Sequence, residues 1–167
     1  MRRDSGSSGS GAGLRGASSL VTEAEAWLAA LVEIEPDDFD EKTALKAITA
    51  LERLKRAAAG AQARLAVRVD EQARARQQTA GFRSDQLGQG IGAQLALARL
   101  ESPHRGARHL GLAKTLTTEL PHTLHALVHG QVSEWQATLV ARETACLQAD
   151  TRRTIDTTIA DHLPSWG

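Results

Sequence analysis

In "EKTALKAITALERLKRAAAGAQARLAVRVDEQARARQQ", residues 41–78, Leu45, Ile48, Leu51, Leu54, Ala58, Ala61, Leu65, Val69 and Ala73 recur at a mean spacing near 3.5 residues. That is the period of a coiled-coil seam. The spacing predicts one helix about 60 Å long at 1.5 Å per residue. Asp40 can cap its start, and Gly60 weakens its middle by about 1 kcal/mol relative to Ala. Such a helix needs a partner along its length. The shorter helix predicted at 22–34 covers only part of it, so a second chain or the C-terminal helices must cover the rest.

Upstream, "TEAEAWLAALVEI" carries a capping box at Thr22 and Glu25. Trp27, Leu28, Leu31 and Val32 form one apolar stripe, and Pro36 ends it. Residues 1–19 are Gly/Ser-rich and nearly devoid of apolar side chains, which predicts a disordered leader. "SGSSGSG" within it resembles an artificial linker.

Composition narrows the class. Aromatic residues make up only 3% of the 167, so the core must be aliphatic. Lys and Arg total 20, as do Asp and Glu, so no global field steers the chain toward a polyanion. Any nucleic-acid affinity must come from local charge. The single cysteine, Cys146, excludes an internal disulfide and a zinc site built from cysteine pairs, and fits a reducing cytoplasm. No apolar run approaches the ~20 residues of a membrane span.

"TAGFRSDQLGQG", residues 79–90, breaks the pattern. Gly88, Gly90 and Gly92 alternate, but a dinucleotide fingerprint needs a preceding strand, and none is found. Residues 81–92 are read as a flexible connector. Short helices are predicted beyond it at about 91–101, 103–117, 119–129, 133–147 and 150–162. Pro103 and Pro121 suit first helical positions, Gly130 suits a C-cap, and Ser133 with Gln136 forms a capping box. No segment alternates with period two long enough for a strand. The expected fold is therefore all-α: an N-terminal helix and a long helix over 20–80, then a bundle over 91–163 that includes a helix-turn-helix-like pair.

On a wheel for residues 103–117, Ala107, Leu110 and Ala113 gather on one side, while His104, Arg105, Arg108 and His109 share another arc. Arg99 and Lys114 add charge at the two ends, and Glu101 is the only acid between them. A helix, a short turn and a basic amphipathic helix is the layout of a helix-turn-helix reader, which uses Arg on phosphates and guanine edges. That template prefers Gly and then an apolar residue in the turn, where this chain has Leu100 and Glu101. The alternative is an ordinary solvated face.

His122, His125 and His129 fall on one helix face, opposite Leu120, Leu124, Leu127 and Val128. Spread over about 10 Å of one helix, they cannot easily close around a single ion. A solvated or partner-facing stripe is expected, with no metal and no cofactor. No nucleophile has a signalled elbow or base. Trp135, Leu139, Val140, Cys146 and Leu147 read as core.

The segment from about 91 to 155 resembles the helical domain of unknown function that precedes HNH endonuclease modules in actinobacterial repeat-family proteins. The matching pieces are "ALAR", "SPHRGARHLGLA", "ELPHTLHAL", "SEWQATLV" and "RETACL". The resemblance implies kinship with enzymes that cut nucleic acid using a metal ion. Their nuclease module follows this helical domain as a small strand-and-helix unit, which this chain does not contain, so no catalytic residue carries over. The chain is read as a fragment or a shortened member. A fainter likeness, through "SPHRGARHLGLAKTL" and "LPHTLHALVHGQVSEWQATLV", is to the DNA-binding helices of plasmid-partition ParB proteins.

The resulting expectation is a non-catalytic module that binds DNA through Arg99, His104, Arg105, Arg108, His109 and Lys114, and forms a homodimer through the long helix. The alternative is an oligomerisation or protein-interaction module that touches no nucleic acid.

Overall fold

The structure is a computed structural model and describes residues 10–166. Seven α-helices run in order: α1 (Ser10–Val32), α2 (Glu41–Thr79), α3 (Ile91–Ala98), α4 (Pro103–Thr118), α5 (Pro121–Val128), α6 (Glu134–Glu143) and α7 (Ala149–Ile159). Short 3₁₀ turns lie at Pro36–Asp38, Ser84–Gln86 and Leu163–Trp166, and no strand occurs among the described residues. The all-α expectation holds. Among the described residues, no helix is long and apolar enough to cross a membrane. The chain divides into two compact units, residues 1–46 and 47–167.

In the first unit, helix extends back to Ser10, into the stretch expected to be disordered through residue 19; residues 1–9 lie outside the described residues. Extending an existing helix fixes one residue per hydrogen bond, whereas nucleation fixes several. The strong formers from Leu20 onward can therefore carry helix into weaker sequence. The capping box at Thr22 does not form, because Thr22 sits inside the helix and donates its hydroxyl to Ser18 O. The apolar stripe stays largely in water, with Trp27 60% and Val32 74% exposed. Asp40 caps α2 as its position suggested, accepting from Thr43 N at 2.7 Å.

α2 is unbroken at Gly60, but its buried face matches the Leu spacing only near its end, at Val69 and Ala73. Gly60, Ala66, Asp70 and Ala73 are buried, whereas Leu54 and Leu65 are 44% and 54% exposed. At Ala66 and Asp70 the buried positions lie one residue past the seam, and the two meet again at Ala73. Small residues explain the choice: a Cβ on Gly60 would lie 2.8 Å from Val128 N and 2.9 Å from Val128 Cα. The end of α5 thus rests on the α2 backbone itself. Asp70 joins this face because two cations neutralise it, Arg74 at 2.8 Å and Lys114 at 2.7 Å.

The remaining helices close two aliphatic clusters, the second together with α2. Leu116, Leu120, Ala126, Leu127, Val132, Ala137, Val140 and Leu163 are buried together, and Ala73, Ile91 and Leu110 form a second cluster. Each large aliphatic side chain removed from water there contributes roughly 1.5–3 kcal/mol. α5 starts on a carboxylate from α7. The fully buried Asp156 accepts from His122 N at 2.7 Å, from Thr123 N at 3.0 Å and from the Thr123 hydroxyl at 2.5 Å. Gly130 ends α5 in the left-handed conformation (φ +70°), and the Ser133–Gln136 capping box opens α6.

Three core assignments need correction. α6 ends at Glu143, which puts Cys146 in the following turn, exposed, and Leu147 beside it is 38% exposed. Trp135, in the first turn of α6, is 62% exposed, because Ala137 and Val140 face the core instead. The 81–92 connector is also tied down rather than loose. Gln77 accepts from Gly88 N at 2.6 Å and donates to Gln89 O at 3.2 Å.

Candidate nucleic-acid interface

α3 and α4 form the helix-turn-helix-like pair. They approach at glycine: a Cβ on Gly106 would meet Gly92 O and would lie 2.7 Å from Ala96 N. The turn between them bends through a left-handed residue that is not glycine. Leu100 adopts φ +54°, the left-handed conformation that normally favours glycine, and its side chain is 95% exposed. Ser102 then caps α4, accepting from Arg105 N at 3.4 Å, and Pro103 takes the first helical position.

The six cations expected at the interface separate into two groups. His104, Arg105 and Arg108 are exposed along the N-terminal half of α4. The other three are turned into the protein's own carboxylates. His109 faces two of them, Nε2 at 3.0 Å from Glu101 Oε2 and Nδ1 at 3.0 Å from Glu134 Oε1. Arg99 reaches Glu134 at 3.5 Å and Glu101 at 3.7 Å, and donates to the Gln62 side chain. Lys114 is held by Asp70. Arg105 makes one long ion pair, 3.7 Å to Glu101, and keeps 64% of its side chain exposed.

Glu134 thus stitches α6 to the α3–α4 pair. The wheel could not find it, because it lies on a different helix from the cations it serves. The only advance signal was the Ser133–Gln136 capping box, which places Glu134 and Trp135 in a first helical turn without saying what they face.

Two cavities flank the His109–Glu134 contact. One, of about 240 Å³, is mostly apolar and is lined by Leu65, Ala66, Val69, Leu95 and Leu112, with Arg99 and His109 at its polar end. The other is an open groove of about 300 Å³ between α4 and α6. Arg105, Arg108, His109 and Leu112 line one wall; Glu134, Trp135 and Thr138 line the other.

The histidine stripe lies elsewhere. His122, His125 and His129 are exposed on α5, and the His125 and His129 rings stack with centroids 4.0 Å apart. Among the described residues, no three His, Cys, Asp or Glu side chains gather as a metal site.

Compared with family models, curated proteins and solved structures, the chain has no significant match.

Proposed function

We propose that this chain is a nucleic-acid-binding and positioning module of an HNH-endonuclease-type protein, non-catalytic by itself and working in the cytoplasm. The observation that carries the reading is the pair of exposed arginines, Arg105 and Arg108, on the first turns of α4, with His104 beside them. They stand where a helix-turn-helix reader presents its contacts. Arg99, His109 and Lys114 serve this surface indirectly. Their ion pairs to Glu101, Glu134 and Asp70 fix α4 against α2, α3 and α6.

Fluorescence anisotropy against a DNA duplex, repeated across salt concentrations, tests it. Each neutralised phosphate contributes a slope of about −0.9 in log K against log salt. Replacing Arg105 and Arg108 with Ala should weaken binding and flatten the slope by about two units. Unchanged binding in the double variant would move the contact elsewhere.

A second reading is favoured by a different observation: Leu45, Ile48, Leu54 and Leu65 on α2 are all more than two-fifths exposed. Each side chain left in water forgoes about 1.5–3 kcal/mol, and pairing two long helices across a two-fold axis would cover them. On that reading the chain is a homodimerisation module. Sedimentation velocity at micromolar concentration discriminates: a strict monomer removes the dimer.

A further inference from the structure

Trp135 has no role in the core and none in the duplex reading, yet it stands in the same groove as the two exposed arginines. The residue is 62% exposed on the first turn of α6, a position that costs hydrophobic free energy unless something covers it. We propose that the α4–α6 groove takes one unpaired base of a nucleic-acid strand, stacked on Trp135, with the flanking phosphates on Arg105 and Arg108. The inference rests on the nucleic-acid reading above and narrows its ligand to single-stranded or locally unpaired nucleic acid.

The charge pattern supports this occupant. Arg105 and Arg108 are exposed at the rim, where a sugar–phosphate backbone would run. Glu134 is less exposed than Arg105 and is held by His109 and Arg99. A carboxylate there repels a phosphate or an acidic side chain but accepts hydrogen bonds from the edge amino groups of a base. The groove therefore brings together exposed arginines, a carboxylate acceptor and an indole. Single-strand binders combine the same parts: a positive track for the backbone and an aromatic platform for the bases. The volume of about 300 Å³ falls at the small end of ligand clefts, ~300–1,000 Å³, which suits one base rather than a longer insert. Thr138, one turn along α6 from Glu134, adds a hydroxyl to the same wall, although that hydroxyl is engaged with Glu134 O at 2.7 Å.

The test uses the full chain and labelled twelve-nucleotide oligonucleotides: single-stranded DNA, single-stranded RNA and the matched DNA duplex. Trp135→Ala should weaken single-strand binding roughly 5- to 150-fold, the range that loss of one stacked base implies, and leave duplex binding within about twofold. Trp135→Phe should recover most of the loss. In a Trp27→Phe/Trp166→Phe background, Trp135 is the sole indole, so its emission should be quenched and shielded from iodide by the single strand. That readout needs no substitution at position 135 and still decides the matter if Trp135→Ala misfolds. Unchanged single-strand binding by Trp135→Ala, with Arg105→Ala/Arg108→Ala still impaired, overturns the base platform and leaves the nucleic-acid reading standing. An equal loss on duplex and single strand also overturns it. So does shielding of Trp135 that rises with protein concentration alone, which would put a second copy in the groove. If the parent chain binds no nucleic acid at low salt, the broader reading falls and this one with it.

Discussion

Replacing a glycine inside a helix by alanine ordinarily stabilises a protein, since alanine is the better helix former by about 0.8–1.0 kcal/mol. Gly60 should invert that sign. An added Cβ would sit 2.8 Å from Val128 N and 2.9 Å from Val128 Cα. Both are backbone atoms of α5, so no rotamer change relieves the clash. Either α5 moves away from α2 or α2 bends. Forcing an extra methyl into packed surroundings costs typically ~1–3 kcal/mol, and a backbone clash belongs at the upper end. Offset by the propensity gain, Gly60→Ala should lose about 1–2 kcal/mol. Gly111 is the internal control: it lies within α4, and a Cβ there meets nothing within 4 Å. Gly111→Ala should gain about 0.5–1 kcal/mol. Urea unfolding followed by far-ultraviolet circular dichroism measures both, and equal m-values are required for the comparison. Equal stabilisation by the two substitutions would refute the α2–α5 contact.

Leu100→Gly should stabilise by about 0.5–1 kcal/mol, because it relieves a left-handed backbone and sacrifices no packing, less the greater entropy of the unfolded chain; thermal unfolding checks it, and a loss would mean that the turn is not left-handed. Asp156→Ala strands two backbone donors and the Thr123 hydroxyl at the start of α5, and should cost about 3–5 kcal/mol by denaturant unfolding, against less than 1 kcal/mol if the carboxylate were only a surface group. Hydrogen bonds from the Thr43 side chain and backbone hold the Asp40 carboxyl below its usual range. A depressed acid stabilises the folded state above its unfolded pKa and loses that contribution as pH falls through the lowered folded value. Amide exchange at Thr43 should therefore quicken in that acid window, and Asp40→Asn should flatten the response. Supplied with Mg²⁺, Mn²⁺ or Zn²⁺, the chain should not nick plasmid DNA, since metal-assisted cleavage needs ligands that fix an ion and leave a position open; nicking abolished by replacing His122, His125 and His129 would overturn this.

Features written in local sequence were legible. The Asp40 cap, the prolines opening α4 and α5, the Gly130 terminator and the Ser133–Gln136 box each depend on residues a few positions apart, and each stands where the sequence placed it. The long helix was legible for the same reason, but most of its buried face was not. Leucine spacing reports where apolar side chains lie, whereas α2 buries its small residues to let α5 approach. The basic helix was legible as a charge pattern. Which cations are exposed was not, because Glu134 and Asp70 reach α4 from distant parts of the chain. Trp135 reads as core in the sequence because Leu139 and Val140 follow it at helical spacing; its exposure follows from a helix rotation that no local pattern encodes.

The most direct test of the account is a backbone amide chemical-shift titration of the ¹⁵N-labelled chain with a short oligonucleotide at low salt, in single-stranded and duplex form. The account predicts shifts concentrated at residues 100–109 and, with the single strand, at 134–138, and little change along the exposed Leu45–Leu54 face of α2. Shifts confined to that α2 face, or no shift anywhere, would contradict it.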